Sequence, residues 1–350
     1  MSVVGSIVVE SVEALIDCRP AIAPSRCSRA ASPRSRCSLC TSYCPSHSVS
    51  VGAKGPSVHA TCLGCDVCVA VCPAGAFYRS ERSDEALLTG LLGLRRDDAL
   101  EVGCTASRGK LAPLRCVGRL NALLLLHLAA AGVSELTLDM GCCPTCATAR
   151  GLGHLADDVE AGKRLAQAIG VDLRVKNVCT AGSRVDEPPR TSRRGLFGFL
   201  RPESPPPRPA GPKPMMHMEL RPSALAVLAT RLAVNVEPTS RSWPFWRVSV
   251  DNLKCTGCKA CSSVCATSAL TRKESARGAR LTCDPGACTG CGACVAGCRL
   301  GALSLEPARL DSVVRGAATV VVATGHYCRL CGQLVPGEQD GPCALCSRRR

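Results

Sequence analysis

The sequence predicts an α+β, multidomain fold: two similar cysteine-rich modules flank a small α/β parallel-sheet domain, and a short cysteine-bearing tail follows. Three observations predict it. Between Cys255 and Cys298 the motif Cys-x-x-Cys-x-x-Cys-x-x-x-Cys occurs twice. A related, less regular set lies between Cys27 and Cys72. Between these sets, short apolar runs alternate with stretches of helical periodicity, the pattern of strands and helices in turn. The boundaries drawn from this are 1–80 and 215–310 for the two modules, 81–182 for the α/β domain, 183–214 for a linker and 311–350 for the tail.

The C-terminal repeat carries the strongest chemistry. Cys255, Cys258, Cys261 and Cys265 are followed by Cys288, Cys291, Cys294 and Cys298. Two-residue gaps let one tight loop wrap three thiolates around an iron-sulfur cube, while the fourth cysteine crosses to the other cube. One 4Fe-4S cluster then takes Cys255, Cys258, Cys261 and Cys298, and the other takes Cys288, Cys291, Cys294 and Cys265. Zinc needs only two pairs and disulfides need no fixed triple, so neither accounts for the spacing. The pattern resembles the bacterial-type two-cluster ferredoxins. That resemblance implies a ferredoxin-like module with two 4Fe-4S clusters and a part in electron transport.

Composition agrees with metal binding. Cysteine occurs 28 times in 350 residues, far above ordinary usage. A disulfide-rich reading needs export, yet residues 1–17 have no basic segment before their apolar residues and carry Glu10 and Glu13, so a cytoplasmic chain is expected. The apolar run 122–131 is too short to span a bilayer and contains His127, so no transmembrane segment is expected. The formal charge of +15 ordinarily points to nucleic acid. Each four-thiolate cluster or zinc site contributes about −2, however, and six such sites bring the total to roughly +3. Aromatic residues at 3% also argue against base stacking.

The N-terminal module has one complete half and one irregular half. Cys62, Cys65, Cys68 and Cys72 precede Pro73, the Cys-Pro ending of bacterial ferredoxins. In the other half Cys37, Cys40 and Cys44 stand where second, third and fourth ligands belong, and Arg34 occupies the place of the first. An upstream cysteine is needed. Cys27 is the better candidate because residues 28–36 form a loop long enough to curl back, with Cys18 the alternative. The expected ligand sets are Cys27, Cys37, Cys40 and Cys72 for one cluster, and Cys62, Cys65, Cys68 and Cys44 for the other. Without an upstream ligand the first would be a three-iron or labile site.

In the central region residues 84–94, 120–131 and 155–169 read as helices, with Ser83 and Asp84 as caps of the first. The runs 100–102, 111–114, 133–138 and 171–175 read as strands, and Gly132 and Gly170 stand where helices stop. Cys104, Cys116, Cys142, Cys143 and Cys146 follow predicted strands, at the edge where open α/β sheets place their sites. The segment containing Cys116-Val117-Gly118-Arg119, a helix, a strand and Cys142-Cys143-Pro144-Thr145-Cys146 resembles the iron-sulfur subunit that links hydrogenase to heterodisulfide reductase. The resemblance implies a 2Fe-2S or related cluster on Cys104, Cys116, Cys146 and one of Cys142 or Cys143, with Cys143 preferred. Buried, redox-silent thiols are the alternative. His127 and His154 read as structural.

Residues 187–214, crowded with Pro and Arg, cannot bury enough surface to order themselves. Within them residues 192–200 form a basic, apolar patch suited to docking or to plain solvation. Residues 220–232 read as a helix interrupted near Pro222, and 246–250 as the strand opening the second module. In the tail, Cys328, Cys331, Cys343 and Cys346 form two Cys-x-x-Cys pairs, the knuckles of a zinc ribbon. The same pairs can hold one iron.

No nucleotide loop, catalytic triad or paired carboxylates stand out. The expected function is multi-cluster electron transfer to or from a partner oxidoreductase, with no catalytic residue of its own assigned. Two alternatives stand beside it: a zinc-ribbon binding protein with structural or sensing clusters, and a disulfide-type reductase using the central cysteines.

Overall fold

The computed structural model describes residues 18–79, 83–108, 114–141, 143–178, 220–238, 242–275, 278–332, 334–336, 341–342 and 344–347. The readings for residues 1–17, for the linker with its 192–200 patch, for 111–113 and for Cys142 and Cys343 lie outside the described residues.

The N-terminal part runs β1 (Ala21–Ile22), α1 (Ser28–Ala31), α2 (Leu39–Ser42), β2 (Val49–Gly52), β3 (Gly55–Val58), α3 (Val67–Val71) and β4 (Phe77–Tyr78). Here β1 pairs antiparallel with β4, and β2 with β3. The first strand thus pairs with the last, around an inner hairpin; Cys27, Cys37, Cys40 and Cys44 fall in one connection between outer and inner strands, Cys62, Cys65, Cys68 and Cys72 in the other, and Cys18 precedes β1.

The central region contains α4 (Asp84–Leu92), β5 (Ala99–Val102), α5 (Thr105–Arg108), α6 (Ala122–Ala130), β6 (Glu135–Asp139), α7 (Leu155–Ala168) and β7 (Arg174–Val178). Strands β5, β6 and β7 form a parallel sheet in sequence order. Ser83 caps α4 by accepting the Ala86 N–H at 3.1 Å, and Asn121 caps α6 by accepting that of Leu124 at 3.0 Å. Both satisfy N–H groups that a helix start leaves open. Leu124, Leu125, Leu126 and Leu128 are buried in the largest apolar core together with Leu100, Leu136 and Leu165. His127 donates to the Leu220 carbonyl at 2.9 Å, and His154 bridges Asp158 at 2.6 Å and the Gly118 carbonyl at 2.9 Å. Leu114 is bridged in parallel to Cys104, which brings the connection leading to Cys116 onto the end of β5.

The C-terminal part begins with α8 (Leu220–Arg231), followed by β8 (Trp246–Val250), α9 (Ala260–Ser263), β9 (Leu270–Ser275), β10 (Gly278–Cys283), α10 (Ala293–Gly297), β11 (Leu303–Pro307), α11 (Leu310–Arg315), β12 (Ala318–Tyr327), β13 (Leu334–Pro336) and α12 (Ala344–Ser347). Pro222 lies in the first turn of α8, where no intrahelical N–H is required, so it starts the helix and does not interrupt it. Leu220, Ala224 and Leu228 bury this helix in the central core. Strand β8 pairs with β11 and β9 with β10. This repeats the outer pair and inner hairpin of the N-terminal part, and β12 and β13 extend the inner sheet. No helix among the described residues is long and apolar enough to cross a membrane.

Candidate metal centres

The two loops of the C-terminal repeat are built alike. Asp251 and Asp284 each precede a first cysteine, with the Cys255 N–H donating to the Asp251 carbonyl and the Cys288 N–H to that of Asp284, both at 3.0 Å. Their carboxylates accept the Leu253 N–H at 3.0 Å and the Gly286 N–H at 2.8 Å. Gly257 and Gly290 then take φ of +66° and +70°, a left-handed turn that only glycine makes cheaply. A Cβ on Gly290 would stand 2.6 Å from the Trp246 ring. Helices α9 and α10 bury Cys261 and Cys294. Past each helix, the N–H of Leu270 donates to Cys265 Sγ at 3.5 Å and that of Ala302 to Cys298 Sγ at 3.4 Å.

The electrostatics group these thiols. Burial pushes Cys294 up to about 12, and Cys291, Cys288 and Cys265 add repulsion. The same four cysteines line one small cavity, so Cys265 has crossed to the second loop. Cys261 is pushed up to about 11 by burial, then by Cys258 and Cys255. Thiols crowded this way resist ionising alone, and a cationic metal core is what lets them deprotonate together. Four sulfurs in the second group and three in the first, N–H donors on the sulfurs and an apolar lining of Val248, Leu270, Leu281 and Leu303 fit iron-sulfur clusters.

In the N-terminal part Cys27, Cys37, Cys40 and Cys72 line a cavity with Ala76 and Phe77. Burial pushes Cys40 up to about 12, helped by Cys72, Cys37 and Cys27. The Ala76 N–H donates to Cys72 Sγ at 3.3 Å. Cys68 is raised by burial first, then by Cys65, Asp66, Cys62 and Cys44. Cys18 sits with this second group: its Sγ donates to the Cys62 carbonyl at 3.0 Å.

At the carboxyl edge of the parallel sheet, Cys116 is raised by burial, with Cys104 and Cys146 adding repulsion. Thr148 Oγ1 lies 3.6 Å from Cys116 Sγ and 3.1 Å from Cys146 Sγ. Cys143 begins the turn Cys143–Thr145, whose end returns the Cys146 N–H to the Cys143 carbonyl at 3.2 Å. Cys116 also shares a buried cluster with Cys65 and Val67, and it contributes to the rise of Cys65 to about 12, of which burial is the main cause. Gly151 permits this close approach, since a Cβ there would stand 2.9 Å from Val67 Cγ2.

In the tail the sulfurs of Cys328, Cys331 and Cys346 lie within 4.8 Å of one another. His326 donates to the Gly341 carbonyl at 3.2 Å.

Two residues that the spacing did not single out stand against the second C-terminal group. Cys283 is 2% exposed and shares a hydrogen bond with Cys288 that lowers Cys283 and raises Cys288. The alternation Ala279, Leu281, Cys283 along β10, all buried, is the signal that faces it inward. Arg221 has no such signal. It is 6% exposed and donates from Nε to the Gly286 carbonyl at 2.6 Å, and from Nη2 to Pro244 at 2.8 Å and Cys288 at 2.7 Å. Burial lowers its pKa to about 10, with Cys288 and Asp284 opposing the fall, so it stays charged near neutrality.

Paired loops, a crossing cysteine and sulfur-directed N–H groups define a module built for two iron-sulfur clusters. Residues 254–302 match the family model of the 4Fe-4S dicluster domain, a span that takes in both repeats. This part of the chain is a ferredoxin-like iron-sulfur module, with the metal binding and electron-transfer role that such a module carries. No curated protein and no solved structure matches the chain.

Proposed function

We propose that the whole chain is a multi-cluster electron-transfer protein relaying single electrons to or from a partner oxidoreductase in the cytoplasm. The observation that carries this is the dicluster match over residues 254–302. The N-terminal part supports extending it, because the same outer pair and inner hairpin hold its cysteines. In this reading two ferredoxin-like modules flank the small α/β domain. Four 4Fe-4S clusters take the ligand sets given above, with Cys27 and not Cys18 completing the first. The central site takes a 2Fe-2S or related cluster on Cys104, Cys116, Cys146 and Cys143 or Cys142. The tail takes zinc, or a single iron, on Cys328, Cys331, Cys343 and Cys346.

When bound, such clusters gain and lose single electrons. The protein's part is to hold, insulate and connect them. N–H groups of Leu270, Ala302 and Ala76 aimed at sulfur stabilise added negative charge. The contact of Cys65 with Cys116 supports a path between the N-terminal module and the central site. The packing of α1 against α10, with Ser32 Oγ 3.8 Å from a Cβ built on Gly297, supports a second path between the two modules.

Anaerobic purification followed by iron, sulfide and zinc analysis tests the reading. About sixteen irons in the four cubes, about two in the central site and one zinc are expected, with visible absorption bleached by dithionite. Zinc in place of iron at the ferredoxin-type loops would refute it.

A further inference from the structure

Helix α8 has one face in the central core, through Leu220, Ala224 and Leu228. From its first turn it sends Arg221 into the loop that carries Cys288. The guanidinium is 6% exposed, lies 4.7 Å from the centroid of the Phe245 ring, and donates to three carbonyls, two of them in that loop. The Asp284 carboxylate of the same loop acts on its charge. A cation taken out of water and hydrogen-bonded only to carbonyls, with the Asp284 carboxylate and Cys288 acting on its charge, is costly, and such charges persist where negative partners offset them. Of the negative groups that act on it, Cys288 of the group Cys265, Cys288, Cys291 and Cys294 outweighs Asp284, and Arg221 holds the Cys288 carbonyl.

We propose that Arg221 is the counter-charge of the cluster on Cys265, Cys288, Cys291 and Cys294, and that its buried positive charge raises the reduction potential of that cluster. This rests on the reading of those four cysteines as cluster ligands. Reduction adds one negative charge to the cluster without a proton or a bond change, and a fixed cation at short range favours that state. Arg221 is therefore a positioning residue: its fork fixes the loop, and its charge sets the energy of the electron there. Arg221 also lines a cavity bounded by Cys72 and Pro73 of the N-terminal module, which puts the charge at the gap between the two modules.

The test is a dithionite-poised redox titration of the full chain, followed by the electron paramagnetic resonance of each cluster, in wild type, Arg221→Gln and Arg221→Lys. Iron and sulfide are measured on each. In Arg221→Gln one cluster should fall in potential by at least tenfold in its reduction equilibrium, about 59 mV for a one-electron couple. The lysine variant, which keeps charge and loses the fork, should recover most of that shift. Unchanged iron with no shift, equal shifts in both variants, or equal shifts in all clusters would overturn the proposal and leave the ligand reading standing. If Arg221→Gln loses the cluster, retention of iron and of a near-native potential in Arg221→Lys supports the proposal, and loss in both overturns the role of charge. A wild type without iron-sulfur signals at this module would instead refute the ligand reading itself.

Discussion

Replacing Arg119 by Met should loosen the floor beneath the central cysteines. Arg119 Nη2 pairs with Asp84 Oδ1, and both residues are buried, 4% and 1% exposed. Asp84 opens α4, so after the substitution its carboxylate keeps only the helix N-terminus as a favourable field. That end is worth up to about 2 kcal/mol in partly buried geometries. Removing one partner of a buried pair costs roughly 3–5 kcal/mol, because the other charge is left without compensation. Taking about 3 kcal/mol, local opening of α4 becomes roughly 150-fold more frequent. Hydrogen exchange followed by mass spectrometry on peptides covering α4 and residues 117–120 measures this directly. The effect should reach Cys116, because the Arg119 N–H donates to the Cys116 carbonyl at 3.0 Å. The double variant Asp84→Asn with Arg119→Met should regain most of the protection, since it leaves no buried charge behind. Less than tenfold loss of protection in Arg119→Met, or no recovery in the double variant, would refute the reasoning.

Three further outcomes follow from the site geometry. Gly290→Ala should cost about 1–2 kcal/mol for the left-handed turn and about 1–3 kcal/mol for the overlap with Trp246, and iron analysis should show loss of one cluster of the C-terminal module. With Cys298 as the proposed ligand, Arg299→Pro should lower the potential of its cluster, because it removes a cation next to that cysteine; an unchanged or raised midpoint in redox titration would contradict this. In metal-free protein the thiols of Cys40, Cys65 and Cys294 are pushed up to about 12, against about 8.5 in an unfolded chain. Their contribution to the metal-free fold is therefore complete below about pH 8.5 and lost as pH rises toward 12, so the urea midpoint of metal-free protein should be lower at pH 10 than at pH 7.5.

What could be read beforehand was local and periodic. The Cys-x-Gly-Cys knuckles announce their own turns, since Gly64, Gly257 and Gly290 all have positive φ. The irregular first half has Arg36 in place of that glycine, while Leu39 opens α2 as Val67, Ala260 and Ala293 open the corresponding helices. Gly132 and Gly170 end α6 and α7 with φ of +95° and +79°, and the apolar runs before them mark the buried helix faces. What depended on contact across the chain was hidden. Arg221 looks like any first-turn arginine until α8 is laid beside the Cys288 loop. Cys116 carries no trace in its own neighbourhood of Cys65, because that meeting depends on Val67 fitting against Gly118 and Gly151. Cys283 falls outside the cysteine spacing, and only its strand partners Leu270 and Ala318 place it against Cys288.

The chain has two tryptophans: Trp246 lies against Gly290 of the second cluster loop, and Trp243 is buried in the core that α8 shares with the central region. Trp243 is buried and donates to the Ala308 carbonyl at 2.9 Å, and Trp246 donates to the Trp243 carbonyl at 2.7 Å. Indole emission from this protein therefore originates entirely at these two positions. A nearby iron-sulfur chromophore quenches such emission, so the intrinsic fluorescence is an optical gauge of cluster loading at residues 254–302, brightening as that module empties. Trp243 also lines the cavity that Cys72 borders, so loading of the N-terminal site adds to the quenching.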